Sequence, residues 1–213
     1  MKLNKFIQGA SLVGSLAAVA FTISLAQAPA QPVSSVSANV AMPVAVKADK
    51  PEAKVDLPVT SNDQAQQNAK KLSLAEHIAL TFNQPLSFVT KVVDTAYQEA
   101  NRRGLNPLLV LAIVAQESRF DPFALSGAGA KGLMQVLPRY HSDKLSDVGG
   151  QKALFTAEAN LKVGTAILGD CVNQSNSVEE ALRRYSGNAR DYSRKVKGYW
   201  SQMETVVSSP AAN

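Results

Sequence analysis

Cysteine is nearly missing from this chain. Cys171 stands alone among 213 residues, which excludes an internal disulfide framework. Histidine is almost as scarce: His77 and His141 lie far apart with no cysteine beside them, which argues against a structural zinc site. There is neither a Gly-rich phosphate loop nor a paired-glycine fingerprint, so nucleotide and dinucleotide chemistry is not expected. No metal and no organic cofactor is expected. Charge is thin too, at 18% against the roughly 25% usual for soluble domains. The deficit is local, because no Asp, Glu, Lys or Arg occurs from Phe6 to Val46. The chain therefore joins two unlike regions. From Lys70 onward 17 Lys and Arg face 13 Asp and Glu, a net +4. That excess weakly favours an anionic polymer and does not call for nucleic acid.

Lys2 and Lys5 form a small positive start, an apolar stretch runs from Phe6 to about Ala26, and small residues follow through Ala30. This is the layout of a secretory signal, which predicts export to the periplasm or cell envelope. A membrane anchor through residues 6–26 is the rival. The run exceeds the usual 7–15 residues of a signal core, a cut after Ala28 would leave Pro29 first, and about 20 apolar residues can span a bilayer. Residues 1–28 are thus read as signal peptide or anchor. Residues 29–70 are rich in Ala, Pro, Val, Ser, Lys and Gln without an aromatic. Such a segment buries too little apolar surface to offset its ordering entropy, and it reads as a flexible tether. A folded domain is expected over 71–207, a disordered tail over 208–213, and a monomer overall.

Within that domain the periodicity is helical. Leu74, Ile78 and Phe82 mark a short first helix ending near Pro85. Leu86, Val89, Val93, Ala96, Tyr97 and Ala100 mark a second, closed by Gly104. Asn106-Pro107 opens a third by the cap-then-proline rule. Leu108 to Ala115 is apolar on every side, which means a buried central helix. A loop follows over Arg119–Lys131. Helices are predicted from Thr156 to about Asn173, from a Ser177/Glu180 capping box to Tyr185, and from Asp191 to Val207. The last carries Tyr192, Val196, Tyr199, Trp200 and Met203 as its apolar stripe. No alternating strand stands out, so the class is all-α with six or seven helices.

The chemistry centres on Gln116-Glu117-Ser118, where an apolar helix delivers a carboxyl at its own C-terminal end. Burial and the negative end of the helix dipole both raise the pKa of such a group. A carboxyl kept protonated near neutral pH suits a general acid. The plain alternative is a helix-end residue paired with Arg119. The loop beyond is rich in small residues, which let backbone approach a ligand. It ends in Gly132-Leu133-Met134-Gln135, where Gln135 offers a donor and an acceptor to sugar hydroxyls and acetamides. Met134 is read as lining the cleft, Ser118 as a helix-end hydrogen-bonder that orients Glu117.

The run from Glu117-Ser118 through Ala124, Ser126, Gly129-Ala130 and Gly132-Leu133-Met134-Gln135 to Pro138 resembles the soluble lytic transglycosylase (SLT) domain family of the lysozyme-like superfamily. Asn160 with Gly164, and Ala181 with Tyr185, fit the same pattern in order. The likeness covers about Leu86 to Trp200. It implies a lysozyme-like helical domain with a catalytic cleft, whose substrate is peptidoglycan glycan strands. It implies Glu117 and Tyr185 as catalytic residues, with Tyr185 hydrogen-bonding near Glu117 and holding it in place. It implies Ser118, Ser126, Met134, Gln135 and Asn160 at the substrate, although Asn160 is equally suited to holding helices together. One departure stands out: the family usually has Asn directly after the tyrosine, and here Tyr185 is followed by Ser186-Gly187-Asn188.

Most glycosidases use two carboxylates, and no second one is evident in the sequence. The resemblance implies a lyase in which one acid serves twice and a 1,6-anhydro ring forms. A lysozyme-type muramidase hydrolysing the same bond, or a non-catalytic cell-wall-binding module, are the alternatives. The basic cluster of Arg183, Arg184, Arg190, Arg194, Lys195 and Lys197 reads as a solvated face, or as attraction to the carboxylates of peptide stems on the wall.

Overall fold

The structure, a computed structural model, describes residues 61–209. The signal or anchor segment, residues 29–60 of the expected tether and residues 210–213 of the expected tail lie outside the described residues. Seven α-helices occur among the described residues: α1 Ser61–Phe82, α2 Leu86–Asn101, α3 Pro107–Ser118, α4 Ser142–Leu145, α5 Ala157–Asn173, α6 Val178–Tyr185 and α7 Tyr192–Ser208. Short 3-10 turns at Pro138–Tyr140, Ser146–Val148 and Gln151–Phe155 link α3 to α5. Extended pairing among the described residues is confined to two isolated bridges, Leu125 with Lys131 and Lys131 with Val136. The all-α class is thus borne out. No helix among the described residues is long and apolar enough to cross a membrane.

Local signals account for the starts of α3, α5 and α6. The Asn106 side chain accepts from Leu108 N at 2.8 Å, and Pro107 occupies the first turn, where its missing N–H costs nothing. Ser177 Oγ accepts from Glu180 N at 3.2 Å to start α6, and Thr156 caps α5 through Ala159 N. Two boundaries differ from expectation. α1 begins at Ser61, inside the stretch assigned to the tether, and α7 runs one residue past 207. Residues 62–70 are all exposed, so no apolar stripe marks their helix. They extend a helix whose buried side, Leu74, Ala75 and Ile78, begins only later.

α3 is the hub. Leu108 through Ala115 are all buried, so every face of the helix meets another element, chiefly α7 and α2. Each large apolar side chain so buried contributes roughly 1.5–3 kcal/mol. This main core also takes Leu161 and Leu168 of α5, Leu182 of α6, and Val196 and Met203 of α7. A second, small cluster of Val136, Leu145, Leu154 and Val163 sits under the short turns.

Candidate active site

α3 ends abruptly just after its acid. Arg119 and Phe120 both adopt left-handed backbone, at φ 52° and 63°. Non-glycine residues enter that region at a cost of roughly 1–2 kcal/mol each. Burial of Phe120 offsets it: the ring is fully enclosed and lies 5.1 Å from the Phe82 ring. Arg119 rests over the same Phe82 ring at 5.4 Å and makes no ion pair with Glu117. The alternative that Glu117 is half of a salt bridge therefore has no support.

Glu117 is left part-buried with one hydrogen bond, in which Tyr192 Oη donates to its Oε1 at 2.6 Å. Burial pushes the Glu117 carboxyl up from 4.5 to about 7, and the Tyr192 bond pulls the other way. No other carboxylate contributes to that shift. Asp121 is exposed, with Oδ1 accepting from Phe123 N at 2.8 Å in a local turn. Among the described residues no cluster of three His, Cys, Asp or Glu side chains could hold a metal ion.

Tyr185 makes no direct bond to Glu117. Its hydroxyl donates to Met134 O at 2.9 Å. It stays within the electrostatic reach of Glu117, since burial first and the Glu117 charge second raise its phenol well above 10.0. The direct partner is Tyr192, seven residues on. By its spacing Tyr192 belongs to the apolar stripe of the last helix, and its ring is indeed buried there. The overlooked signal is that a buried tyrosine ring still needs a partner for its hydroxyl.

Three expected substrate contacts are corrected. Met134 is fully buried and does not line a cleft. Its side chain fills the space left by Gly164, where a Cβ would overlap Met134 Sδ. Asn160 is also fully buried. Its Oδ1 accepts from Met134 N at 2.7 Å, and its Nδ2 donates to Leu154 O at 2.7 Å and Lys131 O at 2.9 Å. All of its hydrogen-bonding capacity in this direction goes to protein backbone, so it clamps the loop rather than a sugar. Ser118 is buried with its hydroxyl on Val114 O at 3.2 Å. It finishes the helix and makes no bond to Glu117.

Two expected residues remain at the surface of the loop. Ser126 Oγ accepts from Ala130 N at 3.0 Å, closing the turn while keeping its own hydrogen to donate. Gln135, at φ 48°, gives Nε2 to Ala124 O and Gly132 O, both at 3.1 Å, which leaves Oε1 as an acceptor. Gly132 is required where it stands, because a Cβ would overlap Leu154 O and the Asn160 amide and its φ is 71°. In the departing segment, Ser186 Oγ donates to Arg183 O at 3.1 Å, and Asn188 lies two positions beyond the family's usual Asn.

Fold and site together define an all-α domain organised around one isolated carboxyl, raised to about 7, at the end of its central helix. Residues 94–204 match the Transglycosylase SLT domain, and the chain belongs to that family. It is similar to membrane-bound lytic murein transglycosylase C of Yersinia enterocolitica, 29% identical over 57% of this chain and 38% of that protein. Transglycosylase C of Histophilus somni is 35% identical over 45% of this chain and 26% of that protein. Membrane-bound lytic murein transglycosylase F of Desulfosudis oleivorans is 35% identical over 51% of this chain and 26% of that protein. The matches thus span between about a quarter and two fifths of the length of these relatives.

Proposed function

We propose that this protein is a peptidoglycan lytic transglycosylase of the cell envelope, with Glu117 acting as both general acid and general base. The observation that carries the reading is the isolation of Glu117: part-buried, raised to about 7, bonded to Tyr192, and without a neighbouring carboxylate. The names of the relatives, each a lytic murein transglycosylase, support the same substrate.

Protonated Glu117 gives its proton to the oxygen bridging N-acetylmuramic acid C1 and N-acetylglucosamine. The C1–O bond breaks, and the neighbouring acetamide steadies the cationic sugar. The Glu117 carboxylate then takes the proton of the same sugar's C6 hydroxyl, whose oxygen closes on C1 as a 1,6-anhydro ring. Glu117 ends protonated, ready for the next bond, and no water is consumed. Tyr192 orients the carboxyl through its 2.6 Å bond. Tyr185 acts through the backbone, holding Met134 O and with it the start of the Gln135 corner.

A lysozyme-type muramidase would need a second carboxylate to activate water. Asp121, engaged in its own turn, does not supply one. The test is product analysis of digested peptidoglycan. Wild type should release anhydro-muropeptides, and Glu117→Gln should lower that rate roughly 10²–10⁴-fold, the usual worth of a positioned general acid. Reducing-end products alone would replace this reading with the muramidase. Absence of lysis by either protein would replace it with a wall-binding module, and equal lysis by both would overturn Glu117 as the acid.

A further inference from the structure

We infer that a depression at the α6–α7 turn binds the acidic peptide stems carried by the glycan, through Arg183 and Arg190. The inference rests on the peptidoglycan reading above. The depression measures about 550 Å³ and is walled by Arg183, Asn188, Arg190 and Tyr192 together with Glu179, Glu180 and Asp191. Glu117 is not in its wall. Tyr192 joins the two places, since it lines the depression and its hydroxyl touches Glu117 Oε1. The depression therefore begins within one tyrosine side chain of the acid. A stem hangs from the same muramic acid ring whose C1–O bond is broken, so it must leave the scissile bond at this short range.

The charges decide what fits. Between Glu179 and Lys197 there are six cations and three carboxylates. Each carboxylate is already committed: Glu179 to Lys197, Glu180 to Arg184 Nη2 at 3.1 Å, and Asp191 to Arg194 Nε at 3.4 Å. Glu180 also accepts from Asn176 N at 3.1 Å. Arg183 feels Glu180 only through space. Arg183 and Arg190 are thus left in the wall, exposed and without an ion-pair partner among the described residues. A guanidinium is shaped for bidentate grip of a carboxylate, and Asn188 adds an amide for peptide groups. Three carboxylates in the same wall would repel a continuous polyanion such as nucleic acid. They leave room for a peptide whose carboxylates are separated by neutral amides.

The test is titration of the full chain with a synthetic stem tripeptide bearing free carboxylates, beside the same peptide amidated, followed by calorimetry and by amide shifts over residues 183–193. The free-acid peptide should bind, with the amidated form roughly tenfold weaker, as loss of a charge-assisted bond implies. The double variant Arg183→Gln/Arg190→Gln should lose the same factor while keeping its Tm, because both side chains are exposed. On stem-bearing glycan its KM should rise with kcat unchanged, and on stem-free glycan neither should move. Equal binding of the amidated peptide, no effect of the double variant, or tighter binding of an RNA oligomer at the same residues would each overturn the inference. If the peptide binds but wild type yields no anhydro product, the transglycosylase reading fails and the site stands. If anhydro product forms without peptide binding, this inference alone fails.

Discussion

At Glu117 two opposed effects meet on one carboxyl, and burial wins over the Tyr192 hydrogen bond. That ordering makes a sharp prediction for Tyr192→Phe. The bond favours the ionised form, so its loss raises the Glu117 pKa further. The falling limb of kcat/KM against pH, expected near 7 in the wild type, should move to higher pH in the variant. A limb that stays put or moves down would mean that Tyr192 does not act on the proton. A rate loss of roughly tenfold is expected as well, about the worth of one hydrogen bond to a charged or partly charged group. The purely structural reading predicts a lower Tm and an unmoved limb. Tyr185→Phe gives the contrast, because its hydroxyl serves Met134 O and not the acid. Its pH limb should remain where the wild type has it.

At the scale of elements, the Gln135 corner is held to α5 by one residue. Asn160 makes three hydrogen bonds from a fully buried position. Asn160→Ala should orphan the buried Met134 N–H and Leu154 O, whereas Lys131 O keeps Val136 N as its donor at 3.1 Å. Each such orphan costs roughly 1–3 kcal/mol, so a loss of about 3 kcal/mol or more is expected in urea unfolding. Activity should fall with stability, since Met134 and Gln135 follow the clamp. The structural reason for correcting Met134 and Asn160 lies here too. Their spacing near a glycine-rich loop is the same whether they face a ligand or the interior. Gly164 decides it, because the absence of a Cβ there lets Met134 sink onto α5. The exit of α3 is a comparable case: left-handed Arg119 and Phe120 are not readable from composition, since their cost is offset by packing on the distant ring of Phe82.

For the molecule as a whole, the Glu117 proton links stability to pH. The folded group titrates near 7, against 4.5 for the ordinary carboxyl. Folding therefore takes up a proton between those values. The stabilising contribution is full below about 4.5 and is lost as pH rises through about 7. Its size is at most about 3 kcal/mol, at 1.36 kcal/mol per pKa unit. Glu117→Gln should match wild type in Tm at pH 4 and exceed it by several degrees at pH 8. Equal Tm values at pH 8 would show that the carboxyl is less buried than its surroundings suggest. Binding to an anionic wall polymer should weaken with salt, because the basic face around α6 and α7 is exposed and screened.

Local sequence was sufficient for much of this. A run of eight apolar residues after Asn106-Pro107 points to an interior helix, while the carboxyl at its end stayed open between a shielded acid and a partner of Arg119 until the fold placed Arg119 over Phe82. Ser177 with Glu180, and the three- and four-residue steps of α2 and α7, marked their helices because caps and periodicity act within one or two turns. The start of α1 at Ser61 escaped, since nine exposed residues carry no periodic stripe. What needed the folded chain was pairing across distance: Tyr192 to Glu117 over 75 positions, Tyr185 to Met134 over 51, and Asn160 to Met134 over 26. Side chains of one type are chemically alike wherever they stand. Only packing decides which hydroxyl meets the acid and which amide is consumed by backbone.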